Sequence, residues 1–166
     1  MNKITPFLWF NNQAQEAMNF YISIFKNSKV VSISRYGKEG PFPEGTLFTA
    51  TFQLDGQEFT ALNGGPQFPF TEAISLFVNC KDQQEVDELW EKLSEGGEKG
   101  PCGWLKDKYG LSWQIVPTVL LELMQDKDKE KATRVREAML QMHKIDIKNL
   151  KQAYMGGYPI TDLQPH

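Results

Sequence analysis

Histidine and cysteine are scarce in this chain, with two of each among 166 residues. Two cysteines, Cys80 and Cys102, cannot build the disulfide framework of a small secreted domain. Reduced thiols and a cytoplasmic location are therefore expected. Both stand in apolar, strand-like runs, so burial is expected of them rather than reactivity. His143 falls in a helical C-terminal stretch and His166 is the final residue. That leaves no histidine in the strand-rich part for a Ser-His-Asp triad. Neither sign of charge dominates, since the net charge is −3. The densest basic stretch, Lys127 to Arg136, is interleaved with Asp126, Asp128, Glu130 and Glu137, and reads as a solvated helix face. Nucleic acid is not an expected partner. No apolar run approaches the roughly 20 residues of a membrane-spanning helix, and "MNKITPFLWF" lacks the layout of a secretory signal, so no membrane is expected either.

What the chain does have is one order of elements written twice, within a length and a 40% hydrophobic content sufficient for a real core. "ITPFLWFNN" reads as a strand. The spacing of Ala14, Ala17, Met18, Tyr21, Ile22 and Phe25 predicts a helix from Asn12 or Gln13 to Phe25, with Asn12 as its N-cap. "KVVSISRYG" alternates as a strand. "TLFTATFQL" and "QEFTALN" form a hairpin about Asp55-Gly56, a pair that favours positive φ at both central positions. The second round begins with the strand "EAISLFVNC". It continues with a helix carrying Val86, Leu89, Trp90 and Leu93 on one face, and a glycine stop at Gly96-Gly97. A vestigial strand around Glu98 to Pro101 follows, then a closing hairpin, "PCGWLKD" and "LSWQIVP", with Asp107 in a turn role. Aligning the halves on their helices, Glu16 on Glu85, gives an offset of 69 and lays Leu8 on Phe77 and Trp9 on Val78. Alternation puts Trp104 and Trp113 on opposite faces.

The expected architecture is α+β. Paired βαβββ modules occupy residues 1–117 (1–68 and 69–117), and a helical extension occupies 118–166. In that extension the pattern predicts helices over Thr118 to Gln125 and about Asp128 to Met142, and a third capped by Asp146. Their apolar stripes either pad the sheets or dock on a partner subunit.

The residues "ITPFLWF", "QAQEAMNFYISIF", "ALNGGPQFPF", "ISLFVNC", "DQQEVDELWEKL", "CGWLKDKYGLSWQIVP" and "KIDIKNL" resemble the PhnB-like branch of the vicinal oxygen chelate superfamily. That superfamily holds glyoxalase I, extradiol dioxygenases and bleomycin- and fosfomycin-resistance proteins. The resemblance implies a cupped sheet, a homodimer and a small-molecule ligand in the cup. The pocket candidates are Pro6, Leu8, Ala61, Asn63, Ser75, Phe77, Trp104 and Gln114. In the superfamily's metal enzymes, His and Glu ligands come from the first and last strands of each module. The corresponding windows here, Ile4 to Pro6, Phe59 to Ala61, Ala73 to Ser75, and Gln114, offer only the neutral donors Thr5, Thr60, Ser75 and Gln114. No metal or other cofactor is therefore expected, because a hard divalent cation needs carboxylates or imidazoles. The branch often carries a demethylubiquinone methyltransferase label. That chemistry needs a glycine-rich turn leading into a helix, and Gly64-Gly65 leads into prolines and phenylalanines instead. The expected function is binding of a small organic molecule in the cup. The alternative is a lyase, isomerase or dioxygenase-type enzyme with a non-standard metal site.

Overall fold

In the computed structural model, which describes residues 2–157, the chain divides into two units, Met1–Phe70 and Thr71–His166. The first contains β1 (Phe7–Phe10), α1 (Ala14–Ile24), β2 (Lys29–Arg35), β3 (Leu47–Leu54) and β4 (Gln57–Asn63). Its sheet has the order β1-β4-β3-β2, with β1 parallel to β4 and the other pairs antiparallel. α1 packs against β3 and β4. Its buried stripe of Ala14, Ala17, Met18 and Tyr21 joins Leu8, Phe10, Ala50, Phe52 and Ala61 in the core. The Asp55-Gly56 turn has φ of 48° and 79°, the pair of positive values that this dipeptide favours.

The start of α1 differs from expectation. The N-cap is Gln13, at φ −112° and ψ 14°, and it makes no side-chain cap. The missing acceptor comes from Asn63 at the end of β4. Its Oδ1 accepts from the Ala14 N–H at 2.8 Å, while its Nδ2 donates to the Leu47 carbonyl at 3.0 Å. One buried carboxamide thus ties β4 to the helix start and to β3, so no local cap is needed from Asn12. The Tyr36 hydroxyl adds a bond to the Asn63 carbonyl.

The second unit repeats the layout with β5 (Ser75–Cys80), α2 (Gln83–Ser94), β6 (Glu98–Lys99), β7 (Trp104–Lys106) and β8 (Ser112–Pro117). The sheet order is β5-β8-β7-β6. Asp82 caps α2 by accepting from the Glu85 N–H at 2.9 Å. As expected, the strand around Glu98 is reduced, to two residues. Residues 101–103 are not a strand, however. They form a turn in which Cys102 and Gly103 both take positive φ, at 57° and 83°. A Cβ on Gly103 would stand 2.8 Å from the Ile115 carbonyl oxygen, so glycine is required there on two counts. In the closing hairpin, buried Asp107 accepts from the N–H groups of Tyr109 and Leu111 and, at 2.9 Å, from Trp113 Nε1.

Three helices follow, at α3 (Thr118–Met124), α4 (Lys129–Leu140) and α5 (Ile147–Tyr154). Asp128 and Asp146 cap the last two. Their apolar stripes bury mainly against one another. Leu120, Val135, Ala138, Met142, Ile145, Leu150 and Ala153 form a cluster that reaches Val116 of β8. Arg134 closes the end of α5 by donating to the Ala153 and Tyr154 carbonyls, and the Tyr154 hydroxyl donates to Asp126 at 2.7 Å. This extension belongs to the second unit.

Asn63→Ala leaves a buried N–H and a buried C=O without partners. Chemical denaturation of that variant should show a loss of about 2–4 kcal/mol. A loss below about 0.5 kcal/mol would mean that α1 is held without this link.

Candidate ligand-binding faces of the two sheets

In each unit, strand alternation gives the sheet one face covered by α1 or α2 and an opposite, helix-free face; in the second unit the closing helices reach the end of that opposite face at Val116. In the second, Leu76, Trp113 and Leu105 lie in one row across β5, β8 and β7, on the side of the α2 residues Val86, Leu89, Trp90 and Leu93. The opposite face carries two rows. Phe77, Gln114 and Trp104 form one, and Ser75, Ser112, Lys106 and Glu98 form the next. Gln114 Nε2 donates to Ser75 Oγ at 2.9 Å. Lys106 pairs with Glu72. The hydrogen bond between them lowers the Glu72 pKa and raises that of Lys106. Phe77 is 44% exposed and Trp104 half-buried. Four of the pocket candidates, Ser75, Phe77, Trp104 and Gln114, therefore share one face, and Trp113 lies on the other, as expected.

The first unit requires a correction. Leu8, Ala61 and Asn63 lie on the helix-covered face and are buried in the α1 core. Pro6 precedes β1 and its carbonyl accepts from the Thr60 N–H. The helix-free face instead carries Phe7, Trp9, Thr49, Thr51, Thr60 and Leu62, by the register of β1, β4 and β3. The cause is the offset. The helices start 69 residues apart, but Phe7 of β1 and Phe77 of β5 occupy like faces, 70 apart. A shift of one residue moves every strand side chain to the other face. On this face Trp9 Nε1 donates to the Gly65 carbonyl at 2.9 Å, and its ring meets Phe68 edge-on. A Cβ on Gly64 would come 2.4 Å from that ring. The hydroxyls pair across strands, Thr51 with Thr60 at 3.2 Å and Ser34 with Thr49 at 2.6 Å.

Two polar residues escaped the sequence reading. Glu58 shares the face of Thr60 and is buried, with the Thr5 hydroxyl 3.5 Å from its Oε2. Ser112 is 1% exposed, and its Oγ has no hydrogen-bond partner among the described residues. The Asp55-Gly56 turn fixes the register of β3 and β4, so it contained the signal for Glu58. Nothing local marks Ser112.

Taken as a donor set, Thr5, Glu58 and Thr60 in one unit and Ser75 and Gln114 in the other hold one carboxylate and no imidazole. Among the described residues no three His, Cys, Asp or Glu are grouped to hold a metal ion. The His and Glu set implied by the resemblance does not fit these residues. His143 lies beside the Pro101–Gly103 turn, where its carbonyl accepts from the Gly103 N–H; His166 lies outside the described residues. A separate open groove of about 1000 Å³ lies between the start of α2 and α5, lined by Lys81, Lys144, Lys148 and Lys151 among others. The carboxylates there are already engaged, Asp82 and Asp146 as caps and Asp87 with Lys144.

A family model described as 3-demethylubiquinone-9 3-methyltransferase matches residues 2–116. A PhnB protein from Bacillus cereus, itself described under that methyltransferase name, is 45% identical. The match covers 70% of this chain and 100% of that one, with a TM-score of 0.65. The chain belongs to this PhnB-like family. No curated protein matches it. A protein from Pseudomonas aeruginosa (20% identity, 70% of this chain and 98% of that one, TM-score 0.59) shares the fold. So does the fosfomycin resistance protein FosX from Listeria monocytogenes (16% identity, 75% and 98%, TM-score 0.55). The fold is thus that of the vicinal oxygen chelate modules. The family match ends before α3, so the three closing helices stand outside it.

The cysteines divide. Cys80 is fully buried at the end of β5, and burial pushes its thiol from an ordinary 9.0 up to about 12. Cys102 is only half-buried and sits in the turn, not in a strand; burial raises its thiol too. A thiol-specific reagent at pH 8 should label Cys102 well before Cys80 in folded protein. The unfolded Cys80 thiol ionises first as pH rises. Its contribution to stability is complete below about pH 9 and is lost progressively toward pH 12. Equal labelling rates in native protein would contradict the burial of Cys80.

Proposed function

We propose that this PhnB-like protein binds a small organic molecule on the helix-free sheet faces, through aromatic rings and neutral hydrogen-bonding groups rather than a resident metal. The observation that carries this reading is the row Phe77–Gln114–Trp104, with Gln114 hydrogen-bonded to Ser75. A carboxamide flanked by two partly exposed aromatics offers apolar contact and a directional polar group together. The reading places the protein in the cytoplasm, in keeping with its two free cysteines, and as a homodimer, which sedimentation velocity can decide. Methyl transfer is not part of it. The loop after Gly64-Gly65 runs on to β5 without a helix, so the glycine-rich strand-to-helix turn that such chemistry uses is absent there. A second reading, an enzyme of lyase, isomerase or dioxygenase type with a weak metal site, has buried Glu58 beside Thr5 in its favour. Metal analysis of protein purified without chelator tests it, and a stoichiometric transition metal would replace the first reading with the second.

Trp90 and Trp113 are buried in the second unit's core, whereas Trp9 and Trp104 stand on helix-free faces. Titration with a panel of small aromatic and aliphatic compounds should therefore change tryptophan fluorescence, and Trp104→Phe should remove most of that change. Gln114→Leu should weaken binding by about 1–2 kcal/mol, or 5- to 30-fold. A panel that leaves the fluorescence and the melting temperature unmoved would reject the reading.

A further inference from the structure

The second unit's helix-free face pairs an apolar row with a polar one. Phe77, Gln114 and Trp104 lie side by side, and two residues along the strands lie Ser75, Ser112 and Lys106. The rows are about 7 Å apart by strand rise. Ser75, Ser112 and Lys106 can all donate, and Glu98 ends the row on β6. Ser75 Oγ accepts from Gln114 Nε2, which leaves its own O–H to give. Lys106 has three N–H donors, and its only ion-pair partner among the described residues is Glu72. Ser112 supplies the decisive observation. Its side chain is 1% exposed, and its Oγ has no partner among the described residues. A buried hydroxyl left unpaired is costly, so a group that it waits for is a physical expectation. The carboxylates beside this row are Glu72, whose exposed ion pair with Lys106 is of the weakly held kind, and Glu98 of β6, which stands across from Lys106; neither meets the Ser112 hydroxyl.

Resting on the proposed ligand-binding reading, we infer that this face takes a compact organic acid with an apolar planar body. The oxyanion lies on Ser75, Ser112 and Lys106, and the body lies over Phe77 and Trp104. The site thus answers an anionic oxygen with hydroxyl and ammonium donors at the place where the superfamily resemblance implies a metal. Glu72 and the cross-strand neighbour Glu98 oppose the ligand's charge and compete for Lys106. Ser112 gives up fold stability for that contact.

Three probes and three variants of the full chain test this by calorimetry. Benzoate carries both features, acetate only the oxyanion, and benzamide only the body. Benzoate should bind at least about tenfold more tightly than either. Ser112→Ala should weaken benzoate about tenfold, leave benzamide unchanged, and raise the melting temperature by about 2–4 °C as the unpaired hydroxyl disappears. Lys106→Gln should weaken benzoate similarly, and Glu72→Gln should strengthen it. Benzamide binding as well as benzoate, or Ser112→Ala leaving benzoate untouched, would overturn the organic-acid assignment while sparing small-molecule binding itself. Silence of all three probes would also overturn the assignment. In that case a response to any other compound on the fluorescence panel would keep the broader reading alive, and none would end both.

Discussion

A four-stranded sheet with a single helix across it must bury one face and leave the other to something else. In each unit of this protein that constraint decides which side chains are structural. It works through parity, because neighbouring strand residues face opposite ways. Leu8, Ala50, Phe52, Phe59 and Ala61 belong to the covered face of the first sheet, and Leu105, Trp113 and Ile115 to that of the second, all of them buried. The residues between them face the other way, and of these Phe7 and Phe77 are exposed while Glu58, Ser112 and Val116 are buried. Asn63 shows how strictly the covered face is used. A polar side chain is tolerated there because the start of α1 and the Leu47 carbonyl take up its carboxamide, which leaves neither end of that group unpaired.

The same parity explains how much of the molecule could be read from its sequence. Element order, the Asp55-Gly56 hairpin, the vestigial β6 and the Asp146 cap all follow from local chemistry: glycine and aspartate conformations, capping side chains and hydrophobic period. The second unit's candidate face was legible too, since Ser75, Phe77, Trp104 and Gln114 lie where alternation puts them. The first unit's face was not, because an offset measured on helices was carried onto strands. A helix tolerates an error of one residue as a rotation of about 100°, which blurs a stripe. A strand turns it into a full reversal. Asn12 failed as a cap for a different reason. The true cap lies 49 residues away in sequence, and no local window contains it. Cys102 was misplaced because an apolar run hid a turn that depends on Gly103.

Comparing the two helix-free faces by strand register sets Thr5 beside Ser75 and Phe7 beside Phe77, 70 apart, and Glu58 beside Ser112 and Thr60 beside Gln114, 54 apart. The aromatic position is the same in both units. The polar positions in these pairs are mostly small hydroxyls and amides, and the one carboxylate among them is Glu58; on the second face Glu98 lies beyond Lys106 at the β6 edge. A face so composed has little to offer a divalent cation, whose dehydration must be offset by charged ligands. It has more to offer an organic ligand, which gains from ring contact and from a few directional bonds. Family membership supplies the fold, whereas the residues on these faces decide what that fold can hold.

The closing helices stand outside the family match yet touch the hairpin that shapes the candidate face. The N–H groups of Cys102 and Gly103 donate to the carbonyls of Met142 and His143 at 2.7 and 2.8 Å. Gln83 donates to the Ile145 carbonyl and accepts from the Ile147 N–H, so α2 holds the same segment from its other end. Gly103 directly precedes Trp104, and its carbonyl accepts from the Ile115 N–H one residue beyond Gln114. Two of the three residues in the aromatic row are thus set by a turn that the extension clamps. An element beyond the stretch that the family model matches therefore acts on the position of Trp104 relative to Gln114, without contributing a side chain to either row.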